Sequence, residues 1–310
     1  MTLYQAEPKL GTALPLTLDQ ALQTKAEGVL ANTTPASAIV AIDVATGQIK
    51  AVANGLGTDG RNDATLGNYA PGSTFKIVTT LALLRSGLTP DTRVDCPANI
   101  TVDGRTFKNY SDFPASRVGS LTLREAVALS CNTALIGQYA KLSGAKVREA
   151  ANSLGLGLAG DLGFNRFAGS IPDPKNVVGL AESLIGQGEV EASPLGMATV
   201  AASVAAGKTV VPRLIVTSDL PAPSAKPLTP AEAGQLRDVM GAVVSQGTAS
   251  ALRGLAQGAK SGTAEYASTT GLRTRAWMIA YTGSLAVCVF VADGTGGSST
   301  AGPLMAKFLR

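Results

Sequence analysis

The chain contains no histidine among its 310 residues, and this absence restricts the chemistry that it can perform. Histidine is the usual base that activates a serine or cysteine nucleophile, and it is also the commonest protein ligand of metal ions. A serine nucleophile in this chain would therefore need a lysine amine or a carboxylate as its base.

Charged and aromatic residues are also scarce. Charged residues make up 15% of the chain and aromatic residues 5%, whereas hydrophobic residues make up 45%. The net charge of +4 is small and no run of lysine or arginine occurs, so the composition indicates a well-packed globular protein without a nucleic-acid partner. No apolar stretch approaches the length of about 18 residues that a membrane-spanning helix needs.

Cysteine is rare, and the three examples are Cys96, Cys131 and Cys288. No CxxC pattern is present, and without histidine a Cys/His zinc site is excluded. The odd number leaves at least one thiol unpaired, so we expect no disulfide framework and interpret all of them as small, buried apolar side chains. The cysteines therefore do not predict a metal site.

β-Rich segments lie at both ends of the chain. Residues 38–44 and 49–53 predict a hairpin, and residues 259–265, 275–281 and 286–292 predict further strands. Strands joined by hairpins or short loops pair in the antiparallel direction. The two ends must therefore meet in one five-stranded antiparallel sheet covered by helices, which is an α+β fold.

The middle of the chain predicts mostly helices. Capping boxes at Thr122–Glu125 and Thr229–Glu232 each mark a helix start, and Ser193-Pro194 begins a long apolar helix. A second small hairpin is predicted around Asp103-Gly104. Further helices are predicted over residues 20–30, 132–142, 147–154 and 302–309.

The segment Ser73-Thr74-Phe75-Lys76 places a serine three residues before a lysine, behind Pro71-Gly72. On a helix, residues i and i+3 share one face, so the lysine amine can reach the serine hydroxyl. A lysine with a lowered pKa can accept the seryl proton, and the helix N-terminus favours negative charge near Ser73. Alone, the pattern is a weak signal because S-x-x-K occurs by chance in many helices.

A second pattern, Ser130-Cys131-Asn132, lies between two predicted helices. The hydroxyl of Ser130 can relay a proton, and the carboxamide of Asn132 can donate a hydrogen bond to a substrate carbonyl. Alone, the pattern is typical of a helix C-cap followed by an N-cap.

A third pattern, Lys260-Ser261-Gly262-Thr263, begins a predicted strand. Gly262 would let a substrate backbone approach closely, and an edge strand can pair with an extended peptide. Lys260 and the two hydroxyls could hold a carboxylate. Alone, the pattern is typical of an ordinary strand start.

Together and in this order, the three patterns resemble the S-x-x-K, S-x-N and K-[ST]-G signature of the penicillin-recognising serine acyltransferases. The resemblance extends from about Leu16 to the end of the chain. Residues 70–76, residues 186–188 with 193–195, and residues 260–265 look most like the transpeptidase domain of class B penicillin-binding proteins. Ser261 stands where that class more often has threonine, and the hydroxyl is kept.

The resemblance implies the roles of four catalytic residues. Ser73 would attack the carbonyl between two D-alanines of a peptidoglycan stem peptide, and Lys76 would take its proton. Ser130 would pass a proton to the departing D-alanine, with Lys260 nearby. An amine of a neighbouring stem peptide would then resolve the acyl-enzyme, and β-lactams would acylate Ser73 in the same way.

The resemblance also implies substrate-binding residues. Asn132 would bind the substrate amide, Gly262 would lie against the substrate backbone, and Ser261 and Thr263 would hold its terminal carboxylate. The backbone N–H groups of Ser73 and Thr263 would form the oxyanion hole.

The resemblance also bears on domain organisation and on location in the cell. We expect a leading segment with the first helix over residues 1–35 and a transpeptidase domain over residues 36–310, with a helical insertion at roughly residues 80–245. The family works at the extracytoplasmic face of a bacterial membrane, so we expect an N-terminal anchor outside these 310 residues. The implied partners are stem peptides, β-lactam antibiotics and a membrane glycan polymerase. The resemblance implies no metal and no organic cofactor.

Two other functions remain open. One is a D,D-carboxypeptidase or β-lactamase of the same fold, but the water-activating E-x-x-L-N element of one β-lactamase class is absent, and residues 182–186 do not match it. The other is a β-lactam-binding sensor domain. The intact S-x-N pattern and the region of residues 186–206 favour the transpeptidase over the sensor.

Overall fold

A computed structural model of the chain describes residues 9, 11–269 and 271–310. Its strands are β1 (Ser37–Asp43), β2 (Ile49–Asn54), β3 (Arg93–Cys96), β4 (Asn99–Val102), β5 (Arg105–Lys108), β6 (Gly119–Thr122), β7 (Gly258–Ser268), β8 (Gly271–Thr282) and β9 (Leu285–Val291). The central sheet has five strands in the spatial order β2-β1-β9-β8-β7, and β3–β6 and β4–β5 form two small sheets. Neighbouring strands are antiparallel in every sheet.

The helices cover this sheet and fill the region between its two halves. They are α1 (Gln20–Leu30), α2 (Asp63–Leu66), α3 (Lys76–Arg85), α4 (Leu123–Ala128), α5 (Asn132–Ile136), α6 (Gly144–Ser153), α7 (Val177–Ser183), α8 (Pro194–Ala206), α9 (Pro230–Gln246) and α10 (Gly302–Leu309).

The two ends of the chain meet at the β1–β9 pair, where Val40 lies opposite Cys288. Both strands are apolar along almost their whole length and are buried, because helices cover both faces of the sheet centre. Burial raises the pKa of the Cys288 thiol, which packs here as a small apolar side chain. The predicted α+β fold with one sheet built from both chain ends is confirmed.

The core helix α8 shows how local sequence fixes this arrangement. The Ser193 hydroxyl accepts a hydrogen bond from the Gly196 N–H, and Pro194 occupies the first turn, where its missing N–H costs nothing. Every residue from Pro194 to Val204 is buried, as α8 packs against β1 and β9. Both predicted capping boxes, at the starts of α4 and α9, are also present.

Several element predictions in the inserted region were incomplete. The helix after Cys131 ends at Ile136, because Gly137 follows, and only a 3-10 turn (Tyr139–Lys141) lies beyond it. The short strands β3 and β6 and the helix α7 have no counterpart in the sequence prediction. Helix α7 begins where the Asn176 side chain accepts from the Gly179 N–H.

The two outer strands of the central sheet have different surroundings. Helix α1 lies against β2, and the Gln23 side chain both donates to the Val52 carbonyl and accepts from the Val52 N–H, at 2.9 and 2.8 Å. Strand β7 lies instead against the turn that carries Ser73. The α1 side of the sheet is therefore capped by a side chain, and the β7 side borders the candidate site.

Within the described residues, no helix combines the length and the apolar character required to cross a membrane.

Candidate active site

Ser73 lies in a short 3-10 turn, Gly72–Phe75, that runs directly into α3. With about three residues per turn, this geometry places residues i and i+3 on the same side, so Ser73 and Lys76 face one way. The sequence predicts an ordinary helix start here rather than a 3-10 turn. The hydrogen bonds of the Lys76 amine go to Ser130 and Asn132 rather than to the Ser73 hydroxyl. Ser73 is half-buried and Lys76 is fully buried.

Close backbone contacts hold the Ser73 turn against β7. Gly72 has a φ of 54° and donates its N–H to the Gly186 carbonyl at 2.9 Å. A Cβ on Gly72 would lie 2.4 Å from the Thr263 carbonyl oxygen, and one on Gly262 would lie 2.8 Å from the Pro71 carbonyl oxygen. The turn and the strand can approach this closely only because both positions are glycine.

The Lys76 amine lies at the centre of the site. Its Nζ donates to the Ser130 carbonyl at 2.8 Å and to Asn132 Oδ1 at 2.7 Å, and it lies 3.3 Å from Ser130 Oγ. The first and second predicted patterns therefore meet at a single buried amine.

The Lys260 amine approaches the same serine from the strand side. Its Nζ donates to Ser130 Oγ at 2.9 Å and to the Ser261 carbonyl at 2.8 Å. Ser130 has a φ of 58°, a left-handed conformation that is uncommon outside glycine. Its hydroxyl therefore lies between two lysine amines, and all three predicted patterns converge on it.

The environment of both lysines disfavours their charged forms. Burial, and then the nearby charge of Lys260, hold the pKa of Lys76 well below its usual value of 10.5. Burial alone lowers the pKa of Lys260 to about 7. Among the ion pairs of the described residues, neither amine contacts a carboxylate, so no fixed negative charge restores the protonated forms.

Asn109 holds the Ser130–Asn132 segment in place and was missed by the sequence prediction. Its Oδ1 accepts from the N–H groups of Asn132 at 2.8 Å and Thr133 at 3.1 Å, and its Nδ2 donates to the Pro97 carbonyl at 3.2 Å. Asn109 is buried and follows β5 directly. No local pattern marks it, because its importance depends on partners 23 and 24 residues away along the chain.

A disulfide between Cys96 and Cys131 joins the end of β3 to the middle residue of the S-x-N pattern. The expectation that all three cysteines are free apolar side chains is therefore wrong for this pair and right only for Cys288. The pairing depends on β3 packing beside α5, which the sequence prediction did not include. The presence of a cysteine within the S-x-N pattern is the one signal that could have suggested it.

The remaining predicted residues lie on β7 and in the S-x-N segment. Ser261 is buried and Thr263 is exposed, and they lie on the face of β7 opposite to Lys260 and Gly262. The Asn132 side chain donates through Nδ2 to the Lys108 carbonyl at 3.1 Å, so its orientation is fixed. The backbones of Ser73 and Thr263 are adjacent through the Gly72 contact.

The assembled groups are a half-buried hydroxyl, two buried amines of lowered pKa and a bridging hydroxyl. Such a set can remove a proton from a nucleophile and return one to a leaving group without any bound group. No cluster of three or more histidine, cysteine, aspartate or glutamate residues that could hold a metal ion occurs in the part of the chain that the structure describes.

Comparison with known sequences places this geometry in context. The family described as the penicillin binding protein transpeptidase domain matches residues 37–310. The chain is similar to the peptidoglycan D,D-transpeptidase PbpA of Mycolicibacterium smegmatis, with 31% identity over 266 residues that cover 79% of this chain and 54% of the relative. PbpA of Mycobacterium tuberculosis H37Rv is 30% identical over 269 residues, with the same coverage of 79% and 54%. The chain thus spans about half the length of these curated relatives.

Solved structures agree on the fold. The penicillin G acyl-enzyme complex of penicillin-binding protein A from M. tuberculosis superposes with a TM-score of 0.83 at 23% identity, covering 96% of this chain and 79% of that one. A structure described as the structural coordination of polymerization and crosslinking by a peptidoglycan synthase complex gives a TM-score of 0.82 at 29% identity, covering 98% of this chain and 63% of that one.

Proposed function

The chain belongs to the penicillin-binding protein transpeptidase domain family, and on this premise we propose that it is a D,D-transpeptidase that crosslinks peptidoglycan stem peptides through a seryl acyl-enzyme. The observation that carries the proposal is the buried Lys76 amine, which contacts Ser130 and Asn132 and shares a turn with Ser73. Its lowered pKa makes it a base in a chain without histidine.

In the acylation step, Ser73 Oγ attacks the carbonyl between the two terminal D-alanines of a stem peptide. The neutral Lys76 amine takes the seryl proton as the new C–O bond forms. The C–N bond then breaks, and the Ser130 hydroxyl delivers a proton to the departing D-alanine amine. Lys260, at 2.9 Å from Ser130 Oγ, can replace that proton.

Binding of the substrate uses the space beside β7. Asn132 donates to the peptide amide carbonyl, and the backbone at Gly262 pairs with the extended substrate. Ser261 and Thr263 hold the terminal carboxylate, while the N–H groups of Ser73 and Thr263 stabilise the developing oxyanion. The close packing of the Ser73 turn on β7 supports this arrangement.

An amine of a neighbouring stem peptide completes the reaction by attacking the seryl ester. This step forms the crosslink and regenerates Ser73. A β-lactam acylates the same serine. Because its C–N bond lies within a ring, the amine stays attached to the acyl group and no D-alanine is released. The β-lactam acyl-enzyme complex of the M. tuberculosis relative supports this part of the proposal.

The setting proposed for this reaction is the extracytoplasmic face of a bacterial membrane, where an N-terminal anchor holds the protein beside a membrane glycan polymerase. The similarity to a peptidoglycan synthase complex supports such a partner. We further propose residues 36–310 as the transpeptidase domain and residues 1–35 as its leading segment, and the matched range 37–310 supports this division. The proposed reaction uses side chains and backbone groups of the protein and needs no cofactor.

Hydrolysis of the acyl-enzyme is the main competing activity. The segment of residues 182–186, which does not match the water-activating E-x-x-L-N element, begins with Glu182. This glutamate forms an ion pair with Arg105 at 2.5 Å. Together they border a cavity of about 260 Å³ between α7 and the β4–β5 hairpin, and the lining of that cavity contains none of the motif residues. Glu182 is thus engaged away from the motif residues, which favours transfer of the acyl group to an amine over its transfer to water.

Intact-mass spectrometry after brief exposure to penicillin G tests the proposal, with Ser73→Ala as the matched variant and thermal melting as the check on folding. We expect one persistent adduct on the parent and none on Ser73→Ala. A donor peptide ending in D-Ala-D-Ala should then release D-alanine and join to an added acceptor amine.

Other outcomes identify other functions. A persistent adduct without any peptide product would indicate a sensor domain. Rapid loss of the adduct with penicillin hydrolysis would indicate a β-lactamase, and release of D-alanine without amine capture a carboxypeptidase. A folded parent that forms no adduct would refute the family's chemistry in this chain.

A further inference from the structure

Thr248 lies where the chain leaves α9 and turns towards β7, and its hydroxyl reaches the third motif. Thr248 Oγ1 is 2.6 Å from Ser261 Oγ. The Thr248 N–H donates to the Ala128 carbonyl at 3.1 Å, and its own carbonyl accepts from Ser298 Oγ at 2.7 Å. Thr248 is therefore held between the S-x-N region, the strand β7 and the segment before α10.

The close approach of this segment depends on Gly247. A Cβ on Gly247 would lie 2.2 Å from the Ala128 carbonyl oxygen, a distance that no side chain allows. Ala128 ends the helix that leads to Ser130. The backbone around Thr248 is thus pressed against the segment that carries a proposed catalytic residue, which fixes the Thr248 hydroxyl relative to the site.

The hydroxyls of Thr248 and Ser261 have one unused proton between them. Each hydroxyl carries one O–H, and the contact between them consumes a single donor. The other O–H remains available, on the same face of β7 as Thr263, whose Oγ1 accepts from the Gly297 N–H at 3.2 Å. A donor in this position suits an acceptor that approaches beside the strand.

The backbone of Ser261 also connects this hydroxyl pair to the Lys260 amine. Ser261 follows Lys260 directly, and the Lys260 Nζ donates to the Ser261 carbonyl. Neither Lys260 nor Lys76 is paired with a carboxylate among the described residues. A carboxylate that enters beside Ser261 would therefore meet a free O–H donor and no competing carboxylate. Near neutral pH its charge would also favour the protonated form of Lys260, whose pKa is about 7.

We propose that Thr248 is a binding residue for the terminal carboxylate of the substrate, donating to it alongside Ser261. This inference rests on the proposed function, in which Ser261 and Thr263 hold that carboxylate. It adds a residue that lies outside all three motifs, contributed by the segment between α9 and β7.

The competing explanation is that Thr248 only supports Ser261 by contact. The two explanations differ in their dependence on substrate charge. A direct donor affects carboxylate-bearing substrates and leaves uncharged ones unaffected, whereas a support for Ser261 or for the fold affects both.

The experiment measures the second-order rate constant of Ser73 acylation by penicillin G and by its methyl ester, which lacks the negative charge. Thr248→Val keeps the side-chain shape and removes the hydroxyl, and Thr248→Ser keeps the hydroxyl. Thr101→Val is the matched control, because the Thr101 hydroxyl also contacts a second hydroxyl, that of Thr106 at 3.1 Å, on an exposed hairpin.

We expect Thr248→Val to lower the rate with penicillin G by about tenfold or more, since a hydrogen bond to a charged group is lost. The rate with the methyl ester should stay within about twofold of the parent's. Thr248→Ser should retain the parent's preference for the acid over the ester, and Thr101→Val should not change it.

Equal losses with the acid and the ester, or no loss with either, would overturn the proposal. Thermal melting identifies any variant that does not fold, and the acid-to-ester ratio of Thr248→Ala then provides the same comparison. Failure of the parent itself to acylate would count against the proposed function rather than against Thr248, so the two failures are distinguishable.

Discussion

The two outer strands of the central sheet, β2 and β7, show how one fold treats its edges in opposite ways. An unpaired strand edge exposes N–H and C=O groups that can template unwanted pairing. At β2 the Gln23 side chain satisfies both backbone groups of Val52, and α1 covers the strand. At β7 the strand is bordered by the Ser73 turn and the two lysine amines. The β2 edge is therefore closed, whereas the β7 edge stays open beside the site that we propose binds a substrate peptide.

The same two edges differ in the burial of their lysines. On β2, Lys50 is half-buried and its Nζ contacts Gln48 Oε1 at 2.5 Å. On β7, Lys260 is fully buried, with its pKa lowered to about 7. Of these two edge lysines, the desolvated one is thus Lys260, at the edge that borders the candidate site.

Among changes at the open β7 edge, replacement of Lys260 by methionine should have the largest effect on the rate of acylation. Loss of the amine that contacts Ser130 should lower the rate of penicillin G acylation by about a thousandfold, as expected for loss of acid–base assistance. The matched variant Lys50→Met, on the closed edge, should acylate like the parent. Stopped-flow or quenched mass-spectrometric kinetics provide the measurement.

Lys260→Met should also differ from the parent in stability. The pKa of Lys260 is about 7 when folded and 10.5 when unfolded, so between these values the unfolded chain binds more protons. The parent's free energy of unfolding should therefore rise as pH increases through this window. Lys260→Met should lack this contribution and be more stable near pH 7, on the order of a few kcal/mol. Denaturant titrations at several pH values measure the free energy of unfolding of both the parent and Lys260→Met. The same pH dependence in the two proteins would contradict a buried neutral amine at Lys260.

Replacement of Gly262 by alanine should have the next largest effect. The new Cβ would lie 2.8 Å from the Pro71 carbonyl oxygen and from Thr74 Cγ2, so β7 must move away from the Ser73 turn. We expect acylation to fall by about a hundredfold, because small displacements of reacting groups carry such costs. Gly28→Ala, on the helix that covers β2, is the control, since its Cβ would meet nothing within 4 Å. Unchanged acylation in Gly262→Ala would show that the close packing is not needed.

Removal of the Cys96–Cys131 disulfide should have a smaller effect on rate and a clear effect on stability. The two residues are 35 apart in sequence, and closing a loop of that size stabilises a fold by about 2–4 kcal/mol. The double variant Cys96→Ala/Cys131→Ala should lose this stability and acylate several times more slowly, because the S-x-N segment is held less firmly. Reductant should produce the same changes in the parent and none in the double variant. A double variant as stable as the parent would contradict this role.

Replacement of Gln23 by alanine tests the closed edge and should have the smallest effect on acylation. Two hydrogen bonds to Val52 are lost, so the free energy of unfolding should fall by about 1–2 kcal/mol. The acylation rate should stay at the parent's value, because β2 is separated from β7 by three strands. Gln20→Ala, at the exposed start of the same helix, should change neither quantity. A loss of acylation in Gln23→Ala would show that the two edges are coupled.

Local sequence patterns were sufficient to predict the central sheet and both capping boxes, and they marked the three motifs that meet at the candidate site. Alternating and continuous apolar runs marked all five strands of the central sheet, and the S-x-x-K spacing brought Ser73 and Lys76 together on one turn. These features depend on residues that are close in sequence, or on the requirement that two apolar chain ends be buried together.

The features that the sequence did not reveal depend on contacts between distant segments. Asn109 matters because its carboxamide meets the backbone of Asn132, and Thr248 because its hydroxyl meets Ser261. The disulfide requires β3 and α5 to lie side by side. Polar residues in irregular segments carry no periodic signal, so their partners are visible only when the chain is folded.

The most direct test of the account is the pH dependence of Ser73 acylation by penicillin G, measured from about pH 5 to 11. The account predicts that the rate rises over a pH range well below 10.5, because a buried lysine pair that shares Ser130 loses its first proton there. The controlling value belongs to the pair of amines rather than to one of them. A rate that rises only near 10.5, the ordinary lysine pKa, or that does not depend on pH, would contradict a desolvated lysine as the base.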